Sequence, residues 1–122
     1  IDQGLCFWEK GLGFKTLRQS IDGLQTWTLL RYSSPIQSWN LQVLLIKAGQ
    51  SIRHKAYIDD YGWTCISFLV LSIEKTIKAL LPYGIKDIGE PHSLYIGGKN
   101  IQLCFFRGPG DELIEIIQLE RR

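Results

Sequence analysis

One segment near the C-terminal end places a carboxylate inside an otherwise apolar strand. From Leu113 to Leu119 both alternating faces carry apolar side chains, which is typical of a strand buried on both sides of a sheet. Glu115 lies within this run, on the face that it shares with Leu113 and Ile117. Burial of an ionised carboxylate costs free energy unless a cation, a metal or hydrogen-bond donors compensate it. Glu115 is therefore either a functional group or, if this is an edge strand, a side chain in water.

The rest of the chain alternates two short helices with strand-like runs. An apolar stripe of Leu5, Trp8 and Leu12 predicts a short first helix. A second helix is predicted from the cap Ser72 to residue 81, where Pro82 stops it. Strands are predicted for the β-branched, aromatic and aliphatic runs at residues 26–32, 41–46, 64–71, 93–96, 101–107 and 112–119.

The order of these elements indicates an internal repeat. The predicted order is helix and strands, followed by strand, helix and strands. This order describes two βαβββ modules, and the first module lacks its opening strand. The triplet Gly13-Phe14-Lys15 and its counterpart Gly84-Ile85-Lys86 support this repeat. We expect one domain over residues 1–122, with module one at about 1–50 and module two at about 62–122. The sheet edge left by the missing strand predicts that an adjoining segment, domain or second chain completes it.

Short motifs at residues 6–14, 62–70, 72–81, 83–85, 89–91 and 105–119 follow one another in a defined order. Together they resemble the vicinal oxygen chelate superfamily, which includes glyoxalase I, methylmalonyl-CoA epimerase, extradiol dioxygenases and the bleomycin and fosfomycin resistance proteins. In that family the last turn reads Asp-Pro-Asp-Gly, whereas here it is Gly108-Pro109-Gly110-Asp111. The resemblance implies an α+β, glyoxalase-like fold in which the two modules form a curled mixed sheet.

The resemblance also implies a divalent metal held by four inward-pointing side chains. Carried over by position, the last ligand is Glu115, the usual His position holds Cys65, and the first-module Glu position holds Gln42. The fourth ligand would lie on the missing strand. Such a metal acts as a Lewis acid, and Glu115 would be both ligand and catalytic base. Zinc, nickel, manganese or iron are the implied ions, but no metal at all remains an alternative, since Cys65 also fits as a small buried apolar side chain.

Aromatic residues open a second class of function. Four Trp and five Tyr are many for 122 residues, and flat aromatic walls stack planar ligands. Trp27, Trp39, Trp63 and Ser67 are the candidate ligand-binding side chains. Three functions thus remain open: a glyoxalase-like metal-dependent lyase, isomerase or epimerase, a metal-free drug- or metabolite-binding protein of the bleomycin-resistance type, or a repurposed domain of a larger biosynthetic protein.

Charge and cysteine usage exclude other classes of partner. The formal net charge is +2 and the basic residues are scattered, so no nucleic-acid surface is predicted. No apolar run is long enough for a membrane span. Three cysteines in apolar segments argue against a disulfide framework and favour a reducing, cytoplasmic setting. The expected partners are a small-molecule ligand and either a second copy of the chain, as a homodimer, or an adjoining domain or strand.

Overall fold

The computed structural model describes residues 3–22, 25–33, 40–48, 57, 59 and 64–120. The chain divides into two compact units, residues 8–54 and residues 1–7 with 55–122, and each is described by itself. The first described element is α1 (Gln3–Cys6), which continues into a π-helical turn (Phe7–Gly11). Gly13, with a φ of 82°, ends this helical segment.

The first unit is an antiparallel sheet, and Phe14 packs against the side chain of one of its strand residues, Tyr32. Its strands β1 (Lys15–Asp22), β2 (Gln25–Ser33) and β3 (Asn40–Ala48) are hydrogen-bonded in chain order. The ring of Phe14 packs edge-on against Trp8, 5.1 Å between centroids, and lies 5.5 Å from Tyr32. Leu30, on the same face of β2 as Tyr32, is fully buried. The sequence runs at 26–32 and 41–46 are thus confirmed as strands, and β1 completes the predicted three.

The second unit includes α1 and a mixed sheet with one further helix. After α1, it comprises β4 (Cys65–Val70), α2 (Ile73–Leu80), a 3₁₀ turn (Leu81–Tyr83), β5 (His92–Ile96), β6 (Lys99–Arg107) and β7 (Leu113–Leu119). The strand order is β4-β7-β6-β5, with β4 parallel to β7 and the other neighbours antiparallel. Because β7 lies between two strands, Glu115 is not on an edge strand.

Helix α2 begins at a cap that the sequence predicts. Ser72 has an extended φ of −152°, and its hydroxyl accepts a hydrogen bond from Lys75 N at 3.2 Å. The Gln118 side-chain oxygen accepts a second bond from Ile73 N at 2.8 Å, which ties the helix start to β7. The sheet face beneath α2 carries the core, and its fully buried members are Cys104, Phe106, Ile114 and Ile116.

Two turns of the second unit depend on glycine. Gly97 and Gly98, with φ of 59° and 76°, form the two-residue connection between β5 and β6, where positive φ suits the strand twist. The turn before β7 closes when Gly108 N donates to Glu112 O at 2.9 Å. Arg107 Nη1 also donates to Asp111 O at 3.0 Å, so this turn is held by the strand that precedes it.

The α+β class is confirmed. Along the chain, each set of three antiparallel strands follows a helical segment, whereas the parallel strand β4 has no counterpart in the first unit among the described residues. Strand β3 therefore has a neighbour on one side only within the described part of the chain. Neither helix in the described ranges has the length and apolar character needed to cross a lipid bilayer.

Candidate functional site

The second sheet has one face opposite α2, which we call the Glu115 face. Strand register arranges its side chains in rows that run across β4, β7 and β6. The middle row holds Ser67, Glu115 and Phe105. The rows on either side are Cys65, Leu113 and Arg107, and Leu69, Ile117 and Leu103. Ser67 and Glu115 thus form a polar pair on a largely apolar surface, with Arg107 and Cys65 in an adjacent row.

Glu115 makes a hydrogen bond within this row. Ser67 Oγ donates to Glu115 Oε1 at 2.6 Å, and the two residues are paired positions of the parallel strands β4 and β7. Glu115 is half-buried and Ser67 is exposed, so burial of the carboxylate is less complete than the apolar strand suggests. A neutral hydroxyl and partial contact with water therefore offset the desolvation of Glu115.

The sequence does not indicate that two further side chains, Phe105 and Arg107, belong to the Glu115 face. Phe105 lies directly across from Glu115 on β6. Arg107 is only 7% exposed, donates to the Asp111 carbonyl and lies 5.6 Å from the centre of the Tyr57 ring. Their place beside Glu115 follows from the β6–β7 register, and that register becomes visible only when the two strands are paired.

Gln42 and Trp27 lie in the first unit. Alternation along β2 and β3 places both on the sheet face opposite Leu30, with Gln42 exposed and Trp27 half-buried. Gln42 is paired across the strands with Arg31, a residue that the sequence does not indicate as part of a site. Among the described residues, Arg31 Nε is buried without a hydrogen-bond partner. This face therefore presents a guanidinium beside the predicted ligand position.

The structure brings together three of the predicted site residues. Cys65, Ser67 and Glu115 share one face of one sheet, with Cys65 half-buried in the row next to Glu115. Gln42 and Trp27 share a face of the other sheet. Trp39 and Trp63 lie outside the described residues, so their predicted roles in ligand binding stay predictions.

Comparisons with known proteins identify the fold. No protein-family model and no curated protein sequence matches the chain. A solved glyoxalase family protein from Enterococcus faecalis has a TM-score of 0.71 at 22% identity, covering 97% of this chain and 88% of that chain. A glyoxalase family protein from Bacillus cereus has a TM-score of 0.68 at 15% identity, covering 99% and 88%. The chain has the vicinal oxygen chelate fold.

A further structure with this fold is described as an antibiotic-binding protein from Streptomyces sp. CB03234. Its TM-score is 0.60 at 14% identity, and the match covers 98% of this chain and 88% of that chain. Identities this low establish the vicinal oxygen chelate fold, and one fold serves many activities. Function therefore depends on the side chains at the site.

The described side chains do not fit the metal centre that the vicinal oxygen chelate fold implies. No group of three or more His, Cys, Asp or Glu within the described ranges is placed to hold a metal ion. One oxygen of Glu115 accepts the Ser67 hydrogen bond, and Gln42 is paired across β2 and β3 with the cationic residue Arg31. A positive charge paired with a ligand position disfavours a divalent cation there, and the Cys65 thiol is a soft donor beside hard oxygens.

Proposed function

We propose that this protein binds a small planar molecule, without a metal, on the Glu115 face. The observation that supports this proposal is the Ser67–Glu115 hydrogen bond of 2.6 Å within an apolar surface. Ligand pockets characteristically combine apolar walls with a few fixed polar groups that orient the ligand. Here the polar pair would orient the ligand, and Phe105, across from Glu115, would offer a ring for stacking.

The alternative is the metal-dependent lyase, isomerase or epimerase, with Glu115 as ligand and base. That activity would need donors from outside the described residues, because the described ones include a thiol and an amide paired with a guanidinium. A binding protein needs no such donors and tolerates Cys65. The Streptomyces neighbour, described as antibiotic-binding, adds a precedent for binding on this fold. A repurposed domain of a larger biosynthetic protein would keep the binding surface for another ligand.

We also propose how the molecule is organised. The two units would be two copies of one βαβββ module, and a second chain or an adjoining strand would pair with β3, which has one neighbour in the described sheet. A cytoplasmic homodimer is the form we propose. Light scattering on the eluting peak of a sizing column would show twice the chain mass of 14.0 kDa, and a uniform monomer would contradict the homodimer.

The binding test uses the full chain after dialysis against EDTA. Doxorubicin and 9-aminoacridine are titrated separately, and quenching of tryptophan fluorescence gives Kd. Binding of at least one of them should survive EDTA. Glu115→Gln keeps an acceptor for Ser67 and should change Kd within a few-fold, whereas Glu115→Leu removes the polar group and should weaken binding about tenfold. Glu120→Leu, at an exposed position beyond β7, is the matched control and should leave Kd unchanged.

Metal analysis distinguishes the lyase alternative. Purified protein is assayed by mass spectrometry for zinc, nickel, manganese and iron. One bound ion per chain, or per pair of chains, that disappears in Glu115→Gln would support the metal-dependent enzyme and would overturn metal-free binding. Failure of every planar compound to bind, with no metal present, would also reject the proposal.

A further inference from the structure

A second concave surface lies on the other side of the second sheet, beside α2. We call it the α2 groove. Its floor is formed by Gln102, Cys104 and Gln118. Its volume is about 670 Å³, which lies within the range of roughly 300–1,000 Å³ that is typical of small-molecule pockets. The α2 groove is separate from the Glu115 face, because alternation along β6 and β7 points its floor residues to the opposite side of the sheet.

The α2 groove exists because the helix is too short to cover the whole sheet. Helix α2 has eight residues, and its buried members are Ile73 and Leu80. Residues 88–91 run beside it, held where Gly89 N donates to Phe105 O at 2.9 Å. Beyond β6, every residue of β5 is exposed. The floor between the helix and residues 88–91 is therefore left open.

Two carboxamides define the polar character of this floor. Gln102 and Gln118 are directly paired on β6 and β7. The Gln118 oxygen is already used, since it accepts the hydrogen bond from Ile73 N. The Gln102 carboxamide makes no hydrogen bond to any other residue in the described part of the chain. It is a half-buried donor and acceptor that is available to a ligand.

The surroundings of Gln102 favour an uncharged ligand with an apolar body. Ile77 and Leu81 of the helical segment and Ile88 opposite them supply apolar walls. Carboxylates of Glu74 and Glu90 lie along the groove with one cation, Lys78. Two negative charges against one positive charge disfavour an anion. The Cys104 thiol donates to Gly89 O at 3.3 Å, so it is engaged in the floor and is not an open nucleophile.

We propose that the α2 groove binds a small neutral amide or lactam that carries an apolar group. The ligand N–H donates to the Gln102 side-chain oxygen, and the Gln102 amide nitrogen donates to the ligand carbonyl. The apolar group packs between Ile77 and Ile88, where burial contributes roughly 25 cal/mol for each Å² removed from water. This site does not depend on the function proposed for the Glu115 face.

The test compares three ligands that differ in one group. The ¹⁵N-labelled full chain is titrated with 3-phenylpropanamide, with methyl 3-phenylpropanoate and with 3-phenylpropanoate, and backbone chemical shifts are followed. The amide should give saturable shifts at residues 73–81, 88–91 and around Gln102. The ester cannot donate to Gln102 and should bind at least about fivefold more weakly, and the anion more weakly still. Equal affinity for amide and ester, or shifts confined to the Glu115 face, would overturn the proposal.

Two variants separate recognition from folding. Gln102→Leu should abolish the preference for amide over ester, while the exposed Gln19→Leu, a matched change on β1, should preserve it. Ile77→Trp should fill the groove and abolish binding of both compounds. Amide preference that persists in Gln102→Leu contradicts the assignment. Because the planar-drug titration reports on the opposite face, loss of one binding activity with retention of the other identifies which proposal has failed.

Discussion

Ser67 Oγ and Glu115 Oε1 are joined by a hydrogen bond of 2.6 Å between residues 48 positions apart in the chain. The two are paired positions of the only parallel strands in the described sheets, β4 and β7. A carboxylate that looks costly in its own strand thus obtains a donor from a neighbouring strand. The parallel pairing of β4 with β7 is what creates this polar pair on the Glu115 face.

A double-mutant cycle measures the strength of this pair. Ser67→Ala, Glu115→Ala and the double variant are compared with the parent chain by urea unfolding. Because the pair is partly exposed, we expect a coupling free energy of about 0.5–1.5 kcal/mol, the range for a net hydrogen bond. A coupling below about 0.3 kcal/mol, which is the usual error of additivity, would show that the two side chains do not interact in solution.

Gly84→Ala should destabilise the second unit. Gly84 has a φ of 85°, and the Gln3 side chain fills the space that a Cβ would need. The left-handed backbone alone costs an alanine about 1–2 kcal/mol, so the midpoint of thermal unfolding should fall by several degrees. Gly89→Ala is the matched control, since its Cβ would lie 3.5 Å from Phe105 O, an ordinary contact. Equal losses in both variants would contradict this account.

Glu112 should make stability decline as pH rises. Burial beside the turn raises the pKa of the Glu112 carboxyl, although the Gly110 N–H and Lys86 oppose this. With the folded pKa above the unfolded one, the folded state binds the proton more tightly, so this stability is complete below the unfolded pKa and is lost as pH passes through the folded pKa.

Glu112→Gln removes this titration. The gain in unfolding free energy over the parent chain should therefore grow from acidic to neutral pH. Urea unfolding at several pH values between about 4 and 7, which span the ordinary range of a raised carboxyl pKa, measures it. If the difference in unfolding free energy between variant and parent is constant with pH, or shrinks toward neutral pH, the raised pKa of Glu112 is contradicted.

Cys104 should react with alkylating reagents only at high pH. Burial, and secondly the charge of Glu90, raise the pKa of the Cys104 thiol, and the thiolate is the reacting form. In a chain carrying Cys6→Ala and Cys65→Ala, the rate of reaction with iodoacetamide should rise with a pH midpoint above that of the same chain unfolded in urea. Restricted access of the reagent lowers the reaction rate by the same factor at every pH, so the pH midpoint reports ionisation of the Cys104 thiol. Glu90→Gln should lower this midpoint, and an unchanged or higher midpoint would contradict the contribution of Glu90.

Much of the fold follows from local patterns in the sequence. Alternating apolar residues predict the strands, because each residue's face depends on its immediate neighbours. The Ser72 cap and the Gly97-Gly98 turn are likewise local, since their hydrogen bonds and dihedral angles involve residues only a few positions apart. Glu115 also stands out locally, as a carboxylate in an apolar run. These signals determined the α+β class and the carboxylate on which the proposed site centres.

The partners of that carboxylate were decided only by the tertiary structure. Ser67 reaches Glu115 because β4 pairs with β7, and Phe105 lies beside it because β6 pairs with the other edge of the same strand. In the first unit the β2–β3 register places Arg31 opposite Gln42, which disfavours the predicted metal ligand. Strand order and register depend on packing between distant segments. A one-residue shift would move every side chain of a strand to the opposite face, and no local pattern encodes which strand becomes its neighbour.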